Sequence, residues 1–221
     1  MFKRRNLTGM CLAAAASLTI GVLAAEPALA DTVVPLPGAE LVKTLSDGTV
    51  VTVRIVGESV NINPSLGSTP VHRNAWVSGT AQVELAGTGA DAGGVVLPGY
   101  TVGCQVNIAG GGAGAGVEGA SDWEGNASAG ATTGGELSLG PGQAKSFYIL
   151  DREKADDFGN ESHKAYNVFS GRSGSVAWSD QTIGLTGCGG YAQARSFVSV
   201  EVVTENVTSW VTVWGQPFSL G

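Results

Sequence analysis

Apolar and polar side chains alternate along most of this chain, and this alternation is the feature that most constrains its fold. In the stretch 48–57 the alternating apolar residues are Val51, Val53 and Ile55, and the stretch 192–215 repeats the pattern twice. Successive side chains of a β-strand point to opposite faces, so a period of two predicts half-buried strands. Several such strands, separated by turns and with little helical periodicity, predict an all-β fold, either an antiparallel sandwich or a barrel.

The first 30 residues differ in character from the rest of the chain. Basic residues occupy positions 3–5, an almost wholly apolar or small run covers 10–24, and residues 28–30 offer a small-x-small cleavage site. This pattern is typical of a secretory signal peptide, because the apolar run is too short to cross a membrane as a helix. We therefore expect a signal peptide over 1–30 and a mature domain over 31–221.

The mature chain is expected to be acidic and to contain one disulfide. The full sequence has a formal net charge of −7, and acidic chains lack the clustered Lys and Arg that phosphate contacts need, which excludes nucleic acid as a partner. Cleavage leaves two cysteines, Cys104 and Cys188. An even count in an exported protein indicates a disulfide that stabilises the fold by roughly 4 kcal/mol on the chain-entropy model, with two separate buried thiols as the alternative.

The middle of the chain has a different composition from its β-rich flanks. Gly, Ala, Ser and Thr dominate 103–142, and the stretch 151–164 is densely charged. Few large apolar side chains are present there to offset the entropy of ordering the segment. Three interpretations remain open at this point: a flexible loop, a low-complexity linker, or a long hairpin that is ordered by pairing with neighbouring copies of the chain.

Alternation within this middle segment favours the hairpin. In one uninterrupted strand, Trp123 lies on the face opposite the acidic residues Glu118, Asp122 and Glu124. The return stretch 135–140 repeats the pattern with Glu136 on one face and leucines on the other. Such alternation is typical of a hairpin in a transmembrane barrel. Gln105 and Asn107 have odd numbers and therefore do not share the face of the even-numbered acidic residues. Either a bulge shifts the register between them, or the stretch with Gln105 and Asn107 belongs to the globular part.

The sequence resembles the MspA family of porins, from the outer membrane of mycolic-acid-containing bacteria, from about residue 40 to the C-terminus. The likeness rests on blocks in the family's order: "LSDGTVVTV" (45–53), "HRNAWVSGTAQVELAG" (72–87), "GGVVLPGYTVG" (93–103), "LSLGPGQ" (137–143) and "IGLTGCGGYAQARSFVSV…VTVWGQPFSL" (183–220). The resemblance implies an octamer in which β-sandwich rim domains stay outside the membrane and each subunit donates a hairpin to one shared barrel. It implies a rim sandwich over about 40–104 and 165–221, and a stem hairpin and loop over about 105–164.

The resemblance also implies roles for the acidic residues of the hairpin. The family's constriction position falls at Glu124, with Asp122 two residues earlier, where "SDWEGN" replaces the family's adjacent aspartates. Glu118 and Glu136 then line the lumen, and Trp123 faces the membrane interface. A ring of carboxylates attracts cations and repels anions. The implied function is a water-filled, cation-preferring channel for small hydrophilic solutes and cations. Its implied partners are its own copies, with or without a homologous subunit, and outer-membrane lipids.

Enzymatic activity is not predicted, and neither a cofactor nor a metal site is expected. His72 and His163 lie in unlike contexts, without the spacing of a catalytic triad or a metal site. The acidic stretch 151–164 lacks the order of a calcium loop, and its basic residues favour a solvated, ion-paired loop.

The alternative from another class is a secreted or cell-surface β-sandwich that binds a ligand or has a structural role and forms no channel. Four tryptophans on predicted strands are its candidate ligand face: Trp76, Trp178, Trp210 and Trp214. Oligomeric state separates the two hypotheses, because an open hairpin edge is not stable in lipid and a pore requires a closed ring.

Overall fold

The chain folds as a two-sheet β-structure with a small additional ribbon. The computed structural model describes residues 31–64, 69–106, 108, 136–139, 142–155, 157–159 and 161–221. Over these residues there is no helix, and the thirteen strands are β1 (Thr32–Pro35), β2 (Ala39–Thr44), β3 (Val50–Pro64), β4 (Arg73–Ala86), β5 (Gly94–Cys104), β6 (Glu136–Ser138), β7 (Ala144–Tyr148), β8 (Arg152–Ala155), β9 (Glu161–Lys164), β10 (Asn167–Phe169), β11 (Ser173–Thr186), β12 (Ala192–Val203) and β13 (Thr208–Ser219). The all-β prediction is confirmed.

The first sheet has six strands in the order β1–β3–β4–β11–β6, with β2 also paired to β3. β1 and β2 share one edge of β3, since β1 pairs with residues 59–62 and β2 with residues 50–55. All pairings in this sheet are antiparallel except that of β6, which runs parallel to β11. The long strands β3, β4 and β11 therefore form its centre, and the short strands lie at its edges.

The second sheet has five strands in the order β10–β5–β12–β13, with β7 also paired to β5. β10 and β7 share one edge of β5, at residues 94–96 and 99–103 respectively. β5 pairs along its whole length with β12, and its residues are mostly buried. The charged stretch predicted as a loop instead contains a third element, the two-stranded ribbon of β8 and β9.

The alternating apolar residues of both sheets form one core. The inward-facing residues of β3 and β12 are fully buried: Val51, Val53, Ile55, Val198, Val200 and Val202. Burying one such side chain stabilises a fold by about 1.5–3 kcal/mol relative to exposure. The outward positions of β13 behave as the alternation predicts, because Trp210 and Trp214 are exposed. Period-two patterning thus specified which face of these strands is buried.

Register shifts interrupt this alternation in three places among the described strands: Val56/Ser59, Trp178/Gln181 and Arg195/Phe197. At the first shift Gly57 has φ 62°, and the buried positions of β3 change from odd to even numbers, so that Glu58 points inward. At the second, Asp180 has φ 50° and its backbone N–H donates to the Ser78 hydroxyl at 2.9 Å. Such bulges re-aim side chains within a sheet.

The tryptophans do not form the shared ligand face considered for the binding-protein alternative. Trp178 is buried in the core, whereas Trp76 is exposed on the first sheet and Trp210 and Trp214 are exposed on the second. The guanidinium of Arg195 lies 5.2 Å from the ring centroid of Trp214. Placement on different sheets removes the structural basis for one four-tryptophan site.

Candidate functional site at the root of the stem segment

The disulfide lies where the chain leaves the second sheet. β5 ends at Cys104, which is bonded to Cys188 in the turn between β11 and β12, with 5.9 Å between the two Cα atoms. Both cysteines are buried. The bond predicted from the cysteine count is present, and it links the outgoing end of β5 to the connection between the two sheets.

The chain beyond Cys104 stays attached to that same turn. The backbone N–H of Gln105 donates to the Tyr191 carbonyl at 2.9 Å, and the N–H of Ile108 donates to the Gly187 carbonyl at 2.8 Å. A Cβ at position 190 would lie 3.2 Å from the Gln105 side chain and from the backbone of Val106, so the glycine there permits a close approach. Gln105 therefore belongs to the globular part, the second of the two alternatives for this stretch, and Asn107 lies outside the described residues.

The returning chain comes back to the same end of the molecule. β6 pairs in parallel with residues 184–186 of β11, and Leu139 after it is buried. The N–H of Gly142 then lies 3.1 Å from the Cys104 carbonyl and 3.2 Å from that of Gln105. Both ends of the segment 109–135 are thus anchored beside residues 184–191, as an inserted hairpin requires.

Comparison with protein families identifies the chain. The family model described as MspA matches residues 47–219. The chain belongs to the MspA family of porins. A comparison with individually curated proteins found no match. Over the residues that the structure describes, no helix has the length and apolar character needed to cross a membrane.

MspA-family membership gives a general context for the five residues predicted to serve the channel, and only one of them, Glu136, lies among the described residues. Four of them, Glu118, Asp122, Trp123 and Glu124, lie outside the described residues. Glu136 begins β6, and its backbone pairs with Gly184 of β11. The channel roles of these five residues therefore remain predictions. Because MspA-family proteins are porins, the expectation that this chain is not an enzyme agrees with its family.

A buried polar network in this MspA-family chain was not predicted from its sequence. Glu58 is 2% exposed, and its carboxylate accepts hydrogen bonds from the hydroxyls of Tyr100, at 3.2 Å, and Ser196, at 3.0 Å. The indole N–H of Trp178 donates to the Tyr100 hydroxyl at 3.2 Å. The network joins β3 and β11 of the first sheet to β5 and β12 of the second.

Burial dominates the electrostatics of this network. Desolvation raises the pKa of the Glu58 carboxyl, and the hydrogen bonds from Ser196 and Tyr100 oppose that rise. Burial has the larger effect on the Tyr100 phenol and the nearby Glu58 charge has the smaller one. Both raise the pKa of Tyr100, which lies far above its usual range. The one sequence signal was Gly57, which interrupts a run of β-branched residues just before Glu58. The partners of Glu58 are 42 and 138 residues away in sequence, so local patterning does not reveal them.

A second cluster of polar side chains lies on the ribbon. Asp151, Glu153 and His163 each place a ligand atom within 4.8 Å of the others. Nδ1 of His163 lies 2.8 Å from Oδ1 of Asp151, so this contact involves a histidine and not the Arg and Lys residues on which the expectation of an ion-paired loop was based.

Proposed function

We propose that this chain is an exported subunit of an outer-membrane channel that is filled with water, prefers cations and admits small hydrophilic solutes. The observation that supports it most is the family match over 47–219, which spans the segment whose two ends are anchored side by side. A hairpin inserted at that point can leave the sandwich without disturbing either sheet. The family's porins are oligomeric, and this supports assembly with further copies of the chain, as an octamer with or without a homologous subunit.

This proposal gives each segment of the chain a separate role. Residues 1–30 serve as the signal peptide that directs export. The sandwich, over about 40–104 and 165–221, forms the rim, to which β1, β6 and β7 also belong because they pair within its two sheets. The rest of the stretch 105–164 supplies the stem hairpin and an adjoining loop. Outer-membrane lipids surround the barrel that the hairpins form together, because a closed ring leaves no unpaired strand edge in lipid.

In this proposal the acidic residues of the stem select cations over anions. Asp122 and Glu124 form the narrowest ring, Glu118 and Glu136 extend the negative field along the lumen, and Trp123 faces outward at the membrane interface. Every subunit repeats these carboxylates, so the ring concentrates cations and excludes anions. The alternation of these residues and their position in the family's order support this assignment.

The test is ion current through a planar bilayer, with the purified protein in a KCl gradient. We expect stepwise openings with a reversal potential that shows cation preference. The double variant Asp122→Asn/Glu124→Gln should keep the openings and lose most of the preference. A control with the same change in net charge, Asp157→Asn/Glu205→Gln, removes two exposed carboxylates from the described fold and should keep the preference.

Two other outcomes of this experiment would contradict parts of the proposal. Full selectivity in the Asp122/Glu124 double variant would place the constriction elsewhere in the stem. A folded protein that is monomeric by light scattering and gives no openings would overturn the channel proposal and leave the secreted β-sandwich.

A further inference from the structure

The ribbon places three potential metal ligands on one face. β8 and β9 pair antiparallel with Glu153 directly opposite His163. Asp151 precedes Glu153 by two residues, and in extended chain residues two apart project to the same side. The ligand atoms of all three side chains lie within 4.8 Å of one another, and Nδ1 of His163 lies 2.8 Å from Oδ1 of Asp151.

In the part of the chain that the structure describes, Asp151 presents a buried carboxylate oxygen without a hydrogen-bond partner on this face. Its side chain is only 6% exposed, and among the described residues no hydrogen-bond donor contacts its Oδ2. A buried carboxylate oxygen without a partner is costly, and buried carboxylates are normally paired or bound to a metal. A cation held between Asp151 and its neighbours would satisfy this oxygen.

Two described basic residues of the ribbon, Arg152 and Lys164, do not supply that cation. Arg152 and Lys164 are opposite each other in the ribbon, one position out of phase with Glu153 and His163, and so lie on the other face. The Arg152 guanidinium is directed to Asn167, donating from Nη1 to Oδ1 at 2.9 Å. Arg152 and Lys164 therefore lie on the face of the ribbon opposite Glu153 and His163.

We propose that Asp151, Glu153 and His163 bind one divalent transition-metal cation of the Zn²⁺ class per chain. One imidazole nitrogen and two carboxylates form a mixed N/O set that suits Zn²⁺, which takes such ligands at about 2.0–2.2 Å, with water completing four-coordination. Ca²⁺ and Mg²⁺ prefer oxygen ligands alone. The cation closes β8 onto β9 and stabilises the ribbon, because a ligand that binds only the folded form shifts the folding equilibrium.

Isothermal titration of the purified protein with ZnCl₂ tests the stoichiometry and the ligands. We expect one Zn²⁺ per chain, and affinity at least about tenfold weaker in Asp151→Asn and in His163→Gln. Asp157→Asn removes a carboxylate from the turn of the same ribbon and should bind Zn²⁺ within about twofold of the unchanged protein. Equal Zn²⁺ affinity in all four proteins, or no measurable binding, overturns the site.

X-ray absorption at the zinc edge gives a second readout that does not depend on variant stability. The sequence contains two histidines, so the scattering signature of one imidazole on bound Zn²⁺ has two possible sources. We expect that signature in the unchanged protein and in His72→Gln, and its loss in His163→Gln. Zinc coordinated by oxygen alone in the unchanged protein would mean an adventitious ion only. None of these outcomes depends on channel activity.

Discussion

The Tyr100 hydroxyl donates a hydrogen bond to Glu58 Oε1 at 3.2 Å, and this contact crosses the core from one sheet to the other. Glu58 lies beside the bulge of β3, and Ser196, its second donor, lies at the bulge of β12. Tyr100 in turn accepts from Trp178, which precedes the bulge of β11. Side chains beside all three register shifts of the described strands therefore meet in one network, which joins the two sheets.

The buried Glu58 carboxyl should make stability depend on pH. Burial raises its pKa in the folded state above the ordinary value of 4.5, so the folded protein binds this proton more tightly than the unfolded chain. The resulting stabilisation is fully present below pH 4.5 and is lost as pH rises through the folded-state pKa. Glu58→Gln should flatten this part of a melting-temperature profile, whereas Glu205→Gln at an exposed turn should not. An unchanged profile in Glu58→Gln would contradict the assignment.

Truncation of the same residue should be far more damaging than the isosteric change. Glu58→Ala removes the acceptor for Tyr100 and Ser196, and each buried donor left without a partner costs about 1–3 kcal/mol. Denaturant unfolding of Glu58→Ala and Glu58→Gln measures the difference. Similar loss of stability in both variants would mean that packing volume, rather than hydrogen bonding, is the main contribution of this side chain.

The disulfide between Cys104 and Cys188 should contribute substantially to stability. Cys104 and Cys188 are 84 residues apart, and closing a loop of this size stabilises by roughly 4–5 kcal/mol on the chain-entropy model. Cys104→Ser/Cys188→Ser should therefore unfold at much lower denaturant concentration than the unchanged protein. The unchanged protein unfolded and refolded under reductant serves as the matched control and should behave like the variant. No difference between oxidised and reduced protein would contradict a structural role.

Close packing against Trp178 should make Gly79 intolerant of substitution. A Cβ at position 79 would lie 2.7 Å from Cζ2 of Trp178, a buried ring that also donates to Tyr100. Gly79→Ala should destabilise by about 1–3 kcal/mol through overpacking. Gly103→Ala is the control, because its nearest neighbour would be 3.6 Å from the added atom. Comparable melting temperatures for the two variants would contradict this tight contact.

Acid should weaken the cation preference of the proposed channel. Protonation removes the negative charge of Asp122 and Glu124, and the ring then no longer repels anions. Reversal potentials measured at decreasing pH should approach those of the Asp122→Asn/Glu124→Gln variant. That variant should itself change less with pH. Parallel pH responses in both proteins would assign the effect to other groups.

The sequence by itself determined the class of the fold. Alternation identified Val51, Val53 and Ile55 as one buried face, and the cysteine count predicted the bond between Cys104 and Cys188. These features depend on local sequence or on composition, so they can be predicted without knowing which strands pair. The ordered sequence blocks also identified the family, and the match over 47–219 confirmed it.

Tertiary structure decided where the alternation is broken and which distant side chains meet. The bulge after Gly57 turns Glu58 into the core, where an uninterrupted alternation predicts an outward charge. The hairpin of β8 and β9 likewise brings Asp151 to His163 and separates both from Arg152. A strand pattern specifies which face of a strand is buried. Register and bulges arise from pairing with strands elsewhere in the chain, and they determine the contacts across that face.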